Sequence, residues 1–397
     1  MEQVSRVIIV GAGIGGLCSA LAMAKQGFDV MVCEQTKHLG EVGAGLQISP
    51  NAFKVLRELG LESALQPCAF VPQRATMRDF KTGEYYLEIP LAEKTINRYG
   101  APYWHLHRAD LHSVLVQACI EAGIELMLGA TVTGYKENTE ANQVSLFLDD
   151  GQELTADLLI GADGIRSKIR EQMLGRQKAT FMGQVAWRGV IPVSDLNVEI
   201  KPDACVWVGP NRHFVSYYLR GGEYVNFVAV EERNDWTSES WREEGDIEAL
   251  KQSFSGWHPE VTELLSAASS TFLWALNGRD ELPTWHQGRV VLLGDACHPM
   301  LPFMAQGAAM AIEDAYVLAK CVAGYKMSDA LVEYEKIRKP RATKIQKMSK
   351  ANASLYHMHG GVLGKLKLKA LQAASHFVPD VIQSKLDSVY GYDVTKP

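Results

Sequence analysis

Three groups of residues in this chain have the types and spacing for chemistry. The first is Gly294-Asp295, followed by Pro299, Pro302 and Gly307, within the run Leu292 to Ala315. The apolar stretch Arg289 to Leu293 predicts a buried strand, Gly294-Asp295 a sharp acidic turn, and the small residues from Gly307 and Ala308 onward the start of a helix. A carboxylate in that turn can accept hydrogen bonds from a polyol, while the free N–H groups and positive end of the helix favour negative charge. A flat, electron-accepting ring that becomes anionic on reduction suits such an end. The second group is His213-Phe-Val-Ser-Tyr217. In a strand, positions 213, 215 and 217 share a face, so His213 and Tyr217 can point into one cavity. A histidine, with a reference pKa of ~6.5, suits a general base, and a tyrosine can orient an ionising hydroxyl; a histidine and tyrosine merely satisfied within a sheet fit the same residues. The third group is Asp163-Gly164, followed by Ser167 and Arg170. It repeats the acidic glycine turn at the end of another apolar strand, Leu158 to Ile160.

The elements that must position these groups are also legible. Arg6 to Val10 is an apolar β-branched run that breaks into Gly11-Ala-Gly13-Ile-Gly15-Gly16, continues as a helical pattern to Gln26, and is followed by a second apolar strand, Asp29 to Cys33, ending at Glu34. Strand, glycine turn, helix, strand and acid in that order form a dinucleotide fingerprint: Gly11 turns the chain, Gly13 admits a pyrophosphate, Gly16 lets helix pack on strand, and Glu34 can bind ribose hydroxyls. An acid at that place argues against a 2'-phosphate. A flavin dinucleotide combines this grip with the polyol and ring that the Asp295 turn favours. Gly45 and Gln47 follow in a second glycine cluster, where backbone can pass close to a ligand. Arg108 precedes a predicted helix, Asp110 to Ala122, and can clamp a phosphate or ring oxygen, although a surface arginine fits equally. His105 and His107 alternate along a strand without a third ligand nearby, and they read as ordinary strand histidines rather than a metal site.

Between residues 178 and 280 the period shifts to two. Gln184 to Ile191, Ala204 to Val208, His213 to Leu219, Tyr224 to Val230 and Thr271 to Leu276 predict an antiparallel sheet, with helices at Ile247 to Phe254 and Pro259 to Ala267 on one face and a ligand on the other. Trp187 and Trp207 read as core. After Gly324 a long polar helix, Asp329 to about His357, carries Arg338, Arg341 and several lysines, read as a solvated face, with Pro340 expected to kink it. Val362 to Val378 forms another amphipathic stretch that can pack on the body or on a second subunit.

Composition sets the frame. The 397 residues are 47% hydrophobic and 22% charged, with 40 basic against 46 acidic side chains, so an ordinary globular protein long enough for a large domain plus a smaller one is expected and a nucleic-acid footprint is not, while the strands, glycine turns and helices above make it an α/β chain. Seven cysteines, odd in number and scattered, predict neither a disulfide framework nor a zinc site and favour a reducing, cytoplasmic setting. The strand beginning near Val4 leaves no room for a signal peptide, and no apolar run is long enough to span a bilayer.

With Gly11 to Gly16 and Glu34, Asp163-Gly164, and Gly294-Asp295 with Pro302 and Gly307 in this order, the chain resembles the single-component FAD-dependent aromatic hydroxylases of the para-hydroxybenzoate hydroxylase class, from about Val4 to about Lys350. Within that class it is most similar to salicylate hydroxylase, 3-hydroxybenzoate 6-hydroxylase and 6-hydroxynicotinate 3-monooxygenase. The resemblance implies a Rossmann-like FAD-binding domain (residues 1–177 and 281–326), an inserted antiparallel-sheet substrate domain (178–280) and C-terminal helices (327–397). It implies hydroxylation of a small phenolic or heteroaromatic carboxylic acid by oxygen through a flavin C4a-hydroperoxide, with NADH or NADPH as transient electron donor. Glu34 would hold the adenosine ribose, Arg108 the phosphates or ribityl chain, and Asp295 the ribityl hydroxyls. Asp163-Gly164 would lie where pyrophosphate and nicotinamide are handled. Gly15, Gly45 and Ala308 would lie along the cofactor, and Gln47, Pro302 and Phe303 would line the substrate pocket. His213 would act as base and Tyr217 would orient the substrate oxygen; His298, the rival base, reads as structural. Some 6-hydroxynicotinate relatives carry His where this chain has Gln47, so that substrate is not carried over. Two other readings stand beside this one: a peripheral membrane hydroxylase of quinone precursors, drawn from the basic C-terminal helices, and a non-catalytic flavin redox sensor. A monomer and a homodimer fit equally.

Overall fold

The computed structural model describes residues 4–40, 44–177, 180–233, 243–357, 361–377 and 379–396. One layer is a six-stranded sheet in the order His286–Gln287, Val290–Leu292, Leu158–Gly161, Arg6–Val10, Asp29–Glu34, Glu125–Leu128. Its pairs are parallel apart from the hairpin His286–Gln287 with Val290–Leu292. Parallel strands are covered on both faces, which is why Val7, Ile8, Ile9, Leu158, Leu159 and Ile160 are all fully buried and their sequence runs show no alternation. Helices Ile14–Lys25 and Gly307–Gly324 contribute Leu17, Ala20, Met310 and Ile312 to the same core. The three glycine turns of the sequence leave the C-terminal ends of three adjacent strands, the edge of an open α/β sheet where ligands bind.

A second, eight-stranded sheet runs Glu243–Glu244, Phe272–Gly278, Thr180–Pro192, Tyr224–Glu232, Arg212–Leu219, Ala204–Gly209, Arg74–Asp79, Tyr85–Pro90. It differs from the expected sheet of residues 178–280 in drawing its last two strands from far upstream, and Ala204–Gly209 pairs with Arg74–Asp79 in parallel. A pairing between segments more than a hundred residues apart leaves no local pattern to read. One face packs on helices Ile247–Ser253 and Pro259–Ala267 through Trp187, Trp207, Phe214, Phe227, Leu250 and Phe254, so both tryptophans are core. The other face meets the loop around Phe303 and the end of the long C-terminal helix.

That helix, Met327–Tyr356, is continuous through Pro340 and is not broken there. Pro340 lies on the exposed side, where water can bond the Lys336 carbonyl that the missing N–H leaves behind. Nor is the helix solvated on all its basic positions: Arg338 and Arg341 are buried, leaving Lys336, Lys344, Lys347 and Lys350 outside. Its inner stripe holds the 299–303 loop by its carbonyls. Gln346 Nε2 donates to Pro299 (2.9 Å), Ser349 Oγ to Leu301 (2.6 Å), and Asn352 Nδ2 and Tyr356 Oη to Phe303 (3.1 and 3.2 Å). Spacings of three and four residues put these donors on one helical face. Helix Gly361–Phe377 packs on the body, with Leu368 buried against Met77, Tyr86 and Val208. Among the described residues no helix is long and apolar enough to cross a membrane.

Candidate active site

Small residues bring the three turns together. Gly11 has φ +103°, and a Cβ there would stand 2.6 Å from the Ala162 carbonyl oxygen; a Cβ on Gly16 would overlap the Gly11 carbonyl. Gly15 and Gly294 are both set against Ala311, each with an imagined Cβ 3.1 Å from the Ala311 methyl. Helix Ile14–Lys25, helix Gly307–Gly324 and the Asp295 turn therefore meet at one point, and Gly15 is required there by helix packing. Gly13 has nothing within 4 Å of its missing Cβ, which leaves room for a bulky phosphate group beside the turn. Glu34 closes this turn, Oε2 accepting from Ala12 N–H (2.8 Å) and Oε1 from Thr36 N–H (2.9 Å). Each of its oxygens retains a lone pair for a hydroxyl.

The Asp163 carboxylate faces its own helix, Lys168–Leu174, accepting from Lys168 N–H (2.7 Å) and Ile169 N–H (3.2 Å). Gly164 has φ +72°, with open space where a side chain would stand. The Asp295 side chain is accessible although protein surrounds it; that setting raises its pKa, and neighbouring His298 and Arg108 act against the rise. Arg108 is the first residue of helix Arg108–Glu121, which begins two residues earlier than its sequence predicts. Burial lowers its pKa and the Asp295 carboxylate opposes this, so the two groups act on each other electrostatically. Gly307 and Ala308 open their helix after Gln306, whose amide is fixed by Ser49 (2.9 Å) and Asn51 (3.1 Å). Open room beside Gly13, an accessible carboxylate within electrostatic reach of a cation, and a helix start with free N–H groups fit a dinucleotide carrying a polyol and an anionic ring.

The facing wall is the large sheet. Cross-strand partners put Ala186, Val230 and His213 in one row, Arg188, Val228 and Val215 in the next, and Val190, Asn226 and Tyr217 in a third. Directly paired residues share a face, so His213, Arg188 and Tyr217 project from the same side. At the rise of an extended strand His213 and Tyr217 stand roughly 13 Å apart, with Arg188 in the row between them about 10 Å to the side. Val228 and Val215 stand with Arg188 in that middle row. His213 is 1% exposed; Phe303 (ring centroids 5.2 Å) and Tyr356 (5.1 Å) enclose it. Tyr217 lies against His105 (4.7 Å), and a Cβ on Gly45 would come within 2.6 Å of its Oη, so Gly45 is small to admit this ring. Gly45 N–H donates to Asn226 Oδ1 (2.7 Å), and Gln47 Oε1 accepts from Tyr103 Oη (2.7 Å), which fastens Gly45–Ile48 beside the sheet. Pro302 is exposed at the rim and Phe303 buried.

Arg188 went unnoticed in the sequence. It stacks over Trp274 at 4.8 Å, its Nε has no hydrogen-bond partner, and burial lowers its pKa to about 10, with the Tyr217 hydroxyl opposing and Arg108 adding to the fall. Its neighbours Trp187 and Gly189 read only as strand, and the face it takes follows from pairing. His298 takes the structural place expected of it. Its Nε2 meets Asp314 Oδ2 at 2.5 Å. Cys297, His298 and Asp314 lie close enough together to share a metal ion. Asp314 already accepts from Arg338 Nε (2.8 Å) and Gly294 N–H (3.1 Å), and a guanidinium against the carboxylate opposes a second cation.

Burial holds His105 neutral, its pKa down at about 3. An unfolded histidine protonates near ~6.5, so this group's stabilising effect is present above that pH and is lost as acid is added toward 3, amounting to about 5 kcal/mol over the window. Urea midpoints are expected to fall steadily from pH 7 to pH 4, and His105→Phe to flatten that fall. Equal slopes for variant and parent would reject the assignment.

Residues 4–349 match the family model described as FAD binding domain. The chain is 40% identical to 6-hydroxynicotinate 3-monooxygenase of Pseudomonas fluorescens, over 89% of this chain and 93% of that protein. It is 35% identical to 3-hydroxybenzoate 6-hydroxylase of Klebsiella oxytoca, over 91% of each. Among solved structures it superposes on a salicylate hydroxylase substrate complex with a TM-score of 0.82 and 26% identity, covering 99% of this chain and 97% of that one. Klebsiella pneumoniae HpxO complexed with FAD and uric acid matches with a TM-score of 0.85 and 25% identity, covering 98% and 97%.

Proposed function

Because the chain belongs to the family of flavoproteins built on this FAD-binding domain and is an FAD-dependent aromatic monooxygenase, we propose that it hydroxylates a small phenolic or heteroaromatic carboxylic acid, taking electrons from NADH or NADPH and oxygen from O2. Bound FAD supplies the activation of oxygen and its delivery to the ring. On this reading Gly11, Gly13 and Gly16 admit the pyrophosphate, and Glu34 and Asp295 bind the ribose and ribityl hydroxyls. Arg108 neutralises phosphate or ring oxygen, and the N–H groups at Gly307 and Ala308 meet the negative edge of the reduced ring.

The observation that carries the substrate assignment is the single sheet face from which His213, Arg188 and Tyr217 all project. Arg188 receives the carboxylate of the acid as a charge-assisted hydrogen bond. The ring hydroxyl meets His213, which removes its proton and makes the ring electron-rich, and Tyr217 holds the far side. Val215, Val228 and Phe303 keep water from the reacting carbon. Seven unpaired cysteines fit a reducing cytoplasm.

The test is a screen of phenolic and pyridine carboxylic acids for accelerated NADH and NADPH oxidation, with the product identified to separate hydroxylation from wasted peroxide. Failure of every such acid to yield a hydroxylated product overturns the reading. Arg188→Met is expected to raise KM for the best acid about 10- to 100-fold, the size of a lost charged hydrogen bond. KM for the corresponding neutral amide should barely move. Equal losses for acid and amide would remove Arg188 from carboxylate recognition.

A further inference from the structure

His213 does not end in the core. Its Nδ1 is 2.7 Å from Nε2 of His357, and Nδ1 of His357 is 2.8 Å from Oε1 of Glu232. The side chain of Glu232 is 46% exposed, against 3% for His357. Two buried imidazoles and one carboxylate thus form an unbroken line from the substrate face of the sheet to water. We propose that His213 passes the proton it takes from the substrate hydroxyl through His357 to Glu232, which releases it to solvent. This rests on the reading of His213 as the base.

The hydrogen-bond roles follow from the ends of the line. An ionised Glu232 only accepts, so His357 donates from Nδ1 and accepts at Nε2, and His213 donates from Nδ1. That leaves the lone pair of His213 on Nε2. When the substrate O–H bond breaks, its electron pair stays on the phenolate oxygen and its proton joins His213 Nε2. The Nδ1 proton of His213 moves to His357 Nε2, the Nδ1 proton of His357 moves to Glu232, and Glu232 loses a proton to water. Both rings finish neutral in the opposite tautomer. Nδ1 of His357 is then a bare lone pair, and Gln184 Nε2, 3.2 Å away, can donate to it.

A dead-end base would have to remain an imidazolium in the core. Burial lowers the pKa of both rings, that of His213 most; His357 lowers that of His213 further, and Glu232 acts against the fall at His357. Among the described residues the other titratable group against His213 is Tyr356, neutral because burial raises its pKa. Glu231, next along the strand, is engaged by Arg212, Arg233 and Trp187. No positive charge of the line itself therefore needs to persist, since a relay moves the proton without storing it.

His357→Gln is the decisive variant. A glutamine can accept from His213 and donate to Glu232 but cannot exchange protons, so a structural contact survives and a relay does not. Oxidised FAD holoenzyme, without oxygen or nicotinamide, is mixed with 3-hydroxybenzoate and with 6-hydroxynicotinate, and ionisation of the bound ring is followed by its absorbance. In His357→Gln ionisation is expected at least about tenfold slower than in the parent, with unchanged final amplitude and unchanged affinity. Glu232→Gln should slow it in the same direction. Parent-like rates in both variants overturn the relay and leave His213 as base. Absence of ionisation in parent enzyme saturated with either acid removes the base itself, and with it the reading on which the relay stands.

Discussion

His213→Ala is expected to lower the rate of product formation by about 10²–10⁴-fold while the protein keeps its bound flavin. The size of the loss follows from chemistry: an electron-poor oxygen acceptor slows the transfer, and an unionised phenol is the poorer ring. The retained flavin follows from geometry, because His213 touches Phe303, Tyr356 and His357 and none of the turns that close around Gly11, Gly294 or Glu34. The pH dependence carries a sign. Burial depresses the pKa of His213 well below the ordinary histidine value, and neighbouring His357 adds to the fall. The acidic limb of parent product formation should therefore lie below ~6.5, the free imidazole value. In the alanine variant, activity should recover only as pH approaches the pKa of the substrate hydroxyl itself. Parent-like product yield and rate in His213→Ala across the whole pH range would reject it as proton acceptor.

How much of this could be read from the chain depends on how local each signal is. The turns at Gly11, Asp163 and Gly294 are written in consecutive residues, strand then glycine then helix, and all three stand at one sheet edge. His213 and Tyr217 share a face because strand period is two, and they do. Their separation along the strand is equally a consequence of that period, which makes them two ends of a space and not one cluster. Arg188 could not be placed, because its face is fixed by pairing with Val228, forty residues on. His357 looked like the last residue of a helix; it acquires a partner only when that helix crosses the sheet. Arg338 and Arg341 illustrate the remaining difficulty. A run of basic residues on a long helix reads as solvated until the acids it pairs with, Glu313 and Asp314 in another helix, are brought alongside.

Those four charges set a second stability prediction, one that reaches the flavin turn. Arg338 is 0% exposed and donates to Glu313 Oε2 (2.5 Å) and Asp314 Oδ1 (2.8 Å), while Arg341 holds Glu313 from the other side at 2.9 Å. Asn51 Nδ2 adds a fourth bond to Glu313 at 2.7 Å. Two cations and two anions balance with every strong donor used, so the cluster as a whole is tolerable in the core. Removing one cation is not, because two buried carboxylates are then left with a single guanidinium between them and no water. Arg338→Met is therefore expected to cost about 3–5 kcal/mol, seen as a fall in Tm of roughly 4–6 °C. Arg338→Lys should recover only part of it, since an ammonium cannot reach both acids with a planar fork. The damage should not stay in the core. Asp314 also accepts from Gly294 N–H (3.1 Å) and faces His298, so the same carboxylate that Arg338 fixes also fixes the turn presenting Asp295. Flavin should consequently leave Arg338→Met at lower temperature than the parent, ahead of global unfolding as followed by circular dichroism. A Tm within about 1 °C of the parent, with flavin release unchanged, would mean that the surrounding residues repack around the missing charge and that the cluster does not hold the Asp295 turn.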